Sequence, residues 1–203
     1  MSDALQVSEV YGLDEELLAM IPKPVYAMIL LFPDSFKDES RDAGSKSFVS
    51  LSKDLFFLTQ VSALGDACGA IALLHALGNA PETCVENESL IQRIKASAVG
   101  KSPEERGKEL AENIEFHTFH HKFAEQGATE IKDVGETCGH YICFVHSRGK
   151  IVELDGTISG PIVHTECSPE TFLETCVGVI KTKFLSRNPE DIRFSMMAIC
   201  STE

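Results

Sequence analysis

Cys68 is the residue of this sequence that is best placed for covalent chemistry, because it lies where Gly65-Asp66-Ala67 leads into an apolar helical stretch. At the first turn of a helix, the free backbone N–H groups and the positive end of the helix dipole favour a thiolate over a thiol. The same N–H groups are suited to stabilising an oxyanion. The position of Cys68 alone is equally consistent with a small buried side chain. Its assignment as a nucleophile therefore depends on other residues.

A thiolate nucleophile needs a base within hydrogen-bond reach. His75 lies on the same helical face as Cys68, seven residues further along. A rise of ~1.5 Å per residue separates the two by roughly 10 Å, which is too far for proton transfer. We therefore expect His75 to be a core or partly buried histidine, and the base to come from elsewhere in the chain.

A predicted hairpin supplies a histidine and a carboxylate. His140 begins the stretch HYICFVH, and Asp155 follows the returning stretch IVEL. If the turn residues Ser147 and Lys150 pair, Asp155 faces Ile142. His140 and Asp155 are then diagonal neighbours with Cβ atoms ~7–8 Å apart or less. A carboxylate placed in this way fixes the imidazole tautomer and stabilises the imidazolium. An exposed histidine beside a turn aspartate is the alternative that the pattern leaves open.

A second histidine group raises the question of a metal site. It consists of His117, His120 and His121, with Cys138 and Cys143 nearby. No CxxC or HExxH spacing accompanies these residues, and metal-binding motifs depend on such spacing. We expect neither a metal nor a cofactor.

Length and charge restrict the class of protein. The 203 residues fit a single domain, residues 1–203. The formal net charge of −13 disfavours a nucleic-acid partner, since phosphate binding requires a basic surface. We expect a monomer that binds a basic partner.

Hydrophobic patterning and cysteine content indicate a compartment. The longest apolar run, residues 25–32, is much shorter than the ~20 residues of a membrane-spanning helix, and the N-terminal residues resemble no secretory signal. The seven cysteines are then expected to be reduced thiols. These features predict a protein of the cytoplasm, with the nucleus as an additional location, and no membrane association.

Strand and helix signals alternate along the chain. Apolar runs predict strands at 25–32, 140–146, 151–154 and 194–200, and an extended stretch at 55–61. Helices are predicted at 14–20, 68–78, 88–97, from Ser102 onwards, and from Ser168 to about Ser186. The tetrad Ser102-Pro103-Glu104-Glu105 is a capping box. Residues 34–48 are a predicted surface loop, and residues 114–139 show no sustained period. This order predicts an α+β domain with an antiparallel sheet flanked by helices.

Several motifs resemble those of the small ubiquitin carboxyl-terminal hydrolases. They are DACGAIALLHALGN (66–79), GHYICFVHSRGKIVELDG (139–156), VYGLDEELLAMIPKPVYAMILLFP (10–33), SPEER (102–106) and NPEDIRF (188–194). The order Cys, His, Asp and the interval between the histidine and the aspartate also match. The resemblance covers almost the whole chain.

This resemblance implies a papain-like cysteine peptidase that hydrolyses bonds at the C-terminal glycine of ubiquitin. By motif, Cys68 is the nucleophile, His140 the general base and proton donor, and Asp155 the residue that orients His140. The family's oxyanion glutamine corresponds to Gln60, which lies eight residues before Cys68 where the family has six. A two-residue bulge or an impaired oxyanion hole follows from that spacing.

Two further expectations come from the resemblance. Residues 114–139 occupy the place of the family's active-site crossover loop, and a connection of this length without regular structure exceeds the ~12–15 residues of ordinary loops. The family also begins with a segment resembling W-x-P-L-E-x-N-P and a helix, which we expect this domain to lack. A catalytically impaired ubiquitin-binding protein and a hydrolase for a ubiquitin-like modifier are the alternative functions.

Overall fold

The computed structural model describes residues 4–33, 55–126, 139–187, 189–190 and 192–202, with side chains excluded at 123–126. The strands of this part are β1 (Leu5–Glu9), β2 (Val25–Pro33), β3 (Gly139–Ser147), β4 (Lys150–Leu154), β5 (Ile162–Glu166) and β6 (Ser195–Ser201). The helices are α1 (Glu15–Leu18), α2 (Cys68–Asn79), α3 (Leu90–Ser97), α4 (Pro103–Glu112), α5 (Ile114–Gln126) and α6 (Phe172–Lys183).

The described strands form one antiparallel sheet in the order β1-β6-β2-β3-β4-β5. β2 lies in the interior of this order, which explains why its sequence is almost continuously apolar: both of its faces are covered. The predicted strand at 25–32 and the predicted α+β class are therefore confirmed.

Helices cover both faces of the sheet. Phe172, Cys176 and Ile180 of α6 pack against one face, and Ala72 and Ala76 of α2 pack against the other. The small side chains of α2 let the helix that carries Cys68 approach β2 and β3 closely. Each large apolar side chain fully buried in these layers contributes about 1.5–3 kcal/mol. The helix that bears the candidate nucleophile is thus fixed directly to the strand that bears the candidate base.

A third apolar cluster lies on the outer side of α2. It joins α2 to α3, α4 and α5 and contains Leu58, Ile71, Ile94, Leu110 and Phe116. The predicted capping box at the start of α4 is present: the Ser102 hydroxyl accepts from the Glu105 backbone N–H, and the Glu105 carboxylate accepts from the Ser102 N–H. The sequence prediction for this helix start is confirmed.

The expectation of no regular structure in residues 114–139 is wrong for its first half, because α5 occupies Ile114–Gln126. Asn113 caps this helix by accepting from the Phe116 N–H at 2.9 Å, and Phe116 is buried. Ile114 and Phe119 are exposed. Ile114 lies on the side of α5 opposite to Phe116, and histidines and charged residues stand between the apolar side chains, so the sequence shows no sustained helical period. Residues 127–138, like the predicted loop 34–48, lie outside the described residues.

Other differences concern short elements. The strands β1 and β5 are absent from the sequence prediction because they are short edge strands with few apolar residues. The last predicted helix begins at Phe172 instead of Ser168, since Ser168 and Thr171 form a hydrogen-bonded turn. In the described part of the chain, no helix is long and apolar enough to cross a membrane.

Candidate active site

Cys68 is the first residue of α2, and its side chain is partly exposed. The side chain of His140 and the backbone amides of Tyr141 and Gly69 are the neighbouring groups that lower the pKa of its thiol. Burial by itself raises the pKa of the thiol. The hydrogen bonds and the charge of His140 together outweigh burial, so the pKa of Cys68 is lowered. The site therefore favours a thiolate.

The other described cysteines have a different character. All six described cysteines, Cys68 included, are free thiols. Burial raises the pKa of four of them: Cys143, Cys167, Cys176 and Cys200. A reactive thiolate forms where positive charge and N–H groups surround the sulfur, and a buried apolar environment suppresses it. The structure thus separates Cys68 chemically from these four residues.

Gly69 allows the close approach that brings the base to the sulfur. A Cβ atom at this position would lie 3.3 Å from the ring of Tyr141, which is tighter than ordinary van der Waals contact. Tyr141 is adjacent to His140 on β3. Because residue 69 carries no side chain, β3 can lie against the first turn of α2 with His140 next to Cys68.

His140 and Asp155 form a buried pair. Nε2 of His140 lies 2.8 Å from Oδ1 of Asp155, and the two side chains are 2% and 1% exposed. The β3–β4 ladder pairs Ser147 with Lys150, which is the register predicted from the sequence. Since Nε2 is bonded to Asp155, Nδ1 is the ring nitrogen that remains for Cys68. The carboxylate therefore selects the tautomer that presents the other nitrogen to the sulfur.

Two further groups hold this pair in place. Oδ1 of Asp155 also accepts from the backbone N–H of Thr157 at 2.9 Å and from its hydroxyl at 2.7 Å. The ring of Phe32 packs edge-on against His140 with centroids 5.5 Å apart. The sequence places Thr157 opposite His140 in the predicted register, but nothing in its residue type indicated that it supports Asp155.

Gln60 lies in an extended segment, residues 55–61, which we call the strap. Its backbone N–H donates to the carbonyl of Gly156 at 2.7 Å, and Nε2 of its side chain donates to the carbonyl of Gly65 at 2.6 Å. A short 3₁₀ turn at Ser62–Leu64 lies between Gln60 and Gly65. This compact turn takes up chain length between Gln60 and Cys68, as the longer spacing requires. The oxyanion role of Gln60 stays a prediction.

His75 is a core histidine, as the sequence analysis expects. It is fully buried, Leu58 donates its backbone N–H to Nε2 at 3.2 Å, and the ring stacks on Phe57 with centroids 5.1 Å apart. Burial lowers the pKa of His75 to about 4. The imidazole is therefore neutral at physiological pH and takes no part in activating Cys68.

The candidate metal cluster is not assembled by the described residues. His117 bonds through Nε2 to the Ala111 carbonyl at 2.8 Å, and His120 stacks on Phe116. Cys143 is fully buried, and Cys138 lies outside the described residues. In the described ranges, no group of three or more His, Cys, Asp or Glu side chains is arranged to hold a metal ion.

An apolar groove of about 800 Å³ begins beside the nucleophile. Gly69 and Tyr141 line its end nearest Cys68, and Leu73 of α2 and Phe119 and His120 of α5 line it further along. α5, which the sequence analysis placed at the start of a crossover loop, therefore borders a groove that continues from the site.

Comparison with known proteins shows the family to which this chain belongs. A family model described as ubiquitin carboxyl-terminal hydrolase, family 1, matches residues 1–185. Ubiquitin carboxyl-terminal hydrolase 3 of Arabidopsis thaliana is 37% identical over 97% of this chain and 84% of its own length. A ubiquitin carboxyl-terminal hydrolase of Drosophila melanogaster is 33% identical over 100% of this chain and 90% of its own. The structure of Trichinella spiralis UCH37 bound to ubiquitin vinyl methyl ester matches with a TM-score of 0.74 and 25% identity, over 98% of this chain and 73% of that one. This chain belongs to the ubiquitin carboxyl-terminal hydrolase family of cysteine peptidases.

Proposed function

We propose that this protein hydrolyses ester, thioester, amide or peptide bonds at the C-terminal glycine of ubiquitin, with Cys68 as nucleophile. The observation that carries the proposal is the arrangement of three side chains: His140 lies next to Cys68 and lowers the pKa of its thiol, and Nε2 of His140 is 2.8 Å from Oδ1 of Asp155. A nucleophile, a base and a group that orients the base are the elements of covalent acyl transfer. The family assignment directs this chemistry to ubiquitin.

The first half of the reaction forms a thioester. The Cys68 thiolate attacks the carbonyl carbon of the glycine, and the electron pair of the carbonyl moves to oxygen. His140, protonated at Nδ1, gives its proton to the leaving group as the bond to it breaks. Asp155 stabilises the imidazolium in this step because its carboxylate accepts from Nε2–H. The leaving group departs as a neutral amine, alcohol or thiol.

The second half of the reaction regenerates the enzyme. His140, now neutral at Nδ1, takes a proton from a water molecule, which attacks the thioester carbonyl. The bond to sulfur breaks, and Cys68 returns to the thiolate paired with protonated His140. Ubiquitin leaves as a carboxylic acid, which loses its proton to the solvent. The tetrahedral oxyanion in both halves would be stabilised by backbone N–H groups at the start of α2 and by the amide of Gln60. One such donor is typically worth ~10²–10³ in rate.

Ubiquitin as the partner is supported by a structural neighbour that was solved bound to ubiquitin vinyl methyl ester. We further propose that α5 and the residues after it limit the size of the leaving group, since Phe119 and His120 border the groove that begins beside Cys68. This limit would favour small adducts or short peptides as leaving groups.

A ubiquitin-derived electrophile tests the proposal directly. Ubiquitin vinyl methyl ester is incubated with the protein, and the adduct is located by peptide mass spectrometry. We expect one covalent ubiquitin on Cys68 and no adduct with Cys68→Ala. A label on another cysteine, or none at all, contradicts the assignment.

Turnover of a ubiquitin–fluorophore amide, measured beside ubiquitin affinity, separates catalysis from binding alone. Tight binding with negligible turnover would favour the ubiquitin-binding alternative. Turnover with a ubiquitin-like modifier but not with ubiquitin would transfer the same chemistry to another substrate.

A further inference from the structure

The strap has no strand partner among the described elements, yet its backbone is hydrogen bonded at consecutive residues. Backbone polar groups that are buried without a partner are costly, so extended segments normally pair with a sheet. Apart from Gly156, which accepts from Gln60, the partners come from two helices. The carbonyl of Phe57 accepts from Nη1 of Arg106 at 2.9 Å, and Thr59 donates to the carbonyl of Pro103 at 3.0 Å. Both partners lie on α4.

Asn79 makes the most complete of these contacts. Its Oδ1 accepts from the Phe56 N–H at 2.8 Å, and its Nδ2 donates to the Phe56 carbonyl at 2.8 Å. Nδ2 also donates to the carbonyl of His75 at 2.8 Å. The side-chain amide thus satisfies both backbone groups of one strap residue, as a neighbouring strand would, and is itself held to its own helix.

The position of Asn79 joins the strap to the nucleophile helix. It is the last residue of α2, and Cys68 is the first. At ~1.5 Å per residue, the two are roughly 16 Å apart, so Asn79 cannot touch the reacting atoms. The strap leads from Phe56, where Asn79 holds it, to Gln60, whose N–H bonds to Gly156 beside Asp155.

We propose that Asn79 is a positioning residue that fixes the strap to α2, so that the amide of Gln60 is held in register with Cys68 in the transition state. The inference rests on the proposed function, in which Gln60 stabilises the oxyanion. It assigns to Asn79 a contribution to kcat that acts entirely through Gln60. The loss of a contact that is made only in the transition state lowers kcat and leaves KM unchanged.

Kinetics of Asn79→Ala with a ubiquitin–fluorophore amide give the main readout. We expect kcat to fall by about tenfold with KM within about twofold of the wild type, because a displaced oxyanion donor loses part of its ~10²–10³ effect. Alkylation of Cys68 by iodoacetamide displaces iodide and forms no oxyanion. The rate of this alkylation in Asn79→Ala should therefore stay within about twofold of the wild-type rate.

A double variant tests the route of the effect. If Asn79 acts through Gln60, Asn79→Ala combined with Gln60→Ala has the kcat of Gln60→Ala alone. If the kcat losses of the two single variants multiply in the double variant, the positioning role is overturned. An alkylation rate in Asn79→Ala that falls in parallel with its kcat also overturns that role. Asn79→Asp keeps the acceptor for the Phe56 N–H but turns a carboxylate oxygen toward the carbonyls of Phe56 and His75, which repel it, so its kcat should be no higher than that of Asn79→Ala.

A matched control removes the effect of lost stability. Val177→Ala truncates a buried side chain of α6 on the opposite face of the sheet. It should lower the melting temperature without changing kcat, whereas Asn79→Ala should change kcat at a temperature where both variants are folded. A lowered kcat in Gln60→Ala with a wild-type kcat in Asn79→Ala overturns the inference alone. A wild-type kcat in Gln60→Ala overturns the oxyanion assignment on which it rests.

Discussion

His140 and Asp155 share a 2.8 Å hydrogen bond although they do not face each other in the β3–β4 ladder. The ladder pair nearest to them joins Cys143 to Leu154. His140 and Asp155 lie past this pair, where the regular pairing of β3 with β4 has ended. The hairpin thus holds the dyad just outside its regular hydrogen bonding, where both side chains are buried but the imidazole still reaches Cys68.

Asp155→Asn should fold and lose most activity. An amide keeps the size of the carboxylate, but it does not stabilise an imidazolium and allows the wrong tautomer of His140, so kcat should fall by at least about 100-fold. Turnover of a ubiquitin–fluorophore amide measures the loss, and circular dichroism verifies the fold. Thr157→Val removes only the hydroxyl that donates to Asp155 at 2.7 Å. The kcat of this variant should fall by about tenfold or less. Wild-type turnover in Asp155→Asn would remove Asp155 from the mechanism.

The alkylation rate of Cys68 should depend on pH with a midpoint below that of an ordinary thiol. The lowered pKa means that the thiolate, which is the reactive form, persists to lower pH. In His140→Ala the hydrogen bond and charge of the imidazole are lost while burial remains, so the midpoint should move upward. Iodoacetamide kinetics from pH 5 to 10 measure both midpoints, and Cys68→Ala gives the background from other cysteines. Equal midpoints in the two proteins would show that His140 does not set the pKa of Cys68.

His75 should make the fold less stable in acid. Its pKa is about 4 in the folded protein against an ordinary value of 6.5, so between these values the unfolded chain binds a proton that the folded chain does not. The free energy of unfolding should therefore fall as pH decreases through this window, by about 3 kcal/mol between pH 7 and pH 4.

Urea denaturation of wild type and His75→Gln over this pH range isolates the contribution of one residue. The variant cannot titrate at position 75, so its stability should depend less steeply on pH. Parallel stability curves for the two proteins would contradict the prediction.

Gly107→Ala should destabilise the protein through the strap. A Cβ at Gly107 would overlap the backbone carbonyl oxygen of Thr59, which cannot rotate away as a side chain would. We expect a loss of about 3 kcal/mol in the free energy of unfolding. Gly178 provides the matched control, because it is also helical and a Cβ there would meet nothing within 4 Å. Gly178→Ala should stabilise by about 0.5–1 kcal/mol. Chemical denaturation measures the free energy of unfolding of both variants. Similar changes in this free energy for the two variants would contradict the prediction.

Local patterns of residue types predict several elements of this protein. The apolar run of β2, the capping box of α4 and the turn between Ser147 and Lys150 are set by residue types within a few positions of each other. The turn sets the hairpin register, and that register brings His140 and Asp155 together.

Contacts between residues far apart in the chain become visible only in the folded protein. The apposition of Cys68 and His140 needs α2 to pack on β3 at Gly69, and the helix α5 exists because Asn113 caps it and Phe116 joins a distant cluster. The strap is held by Asn79 and Arg106, whose residue types reveal no partner. Periodicity reports only which face of an element is apolar, whereas these contacts arise from the packing of one element against another.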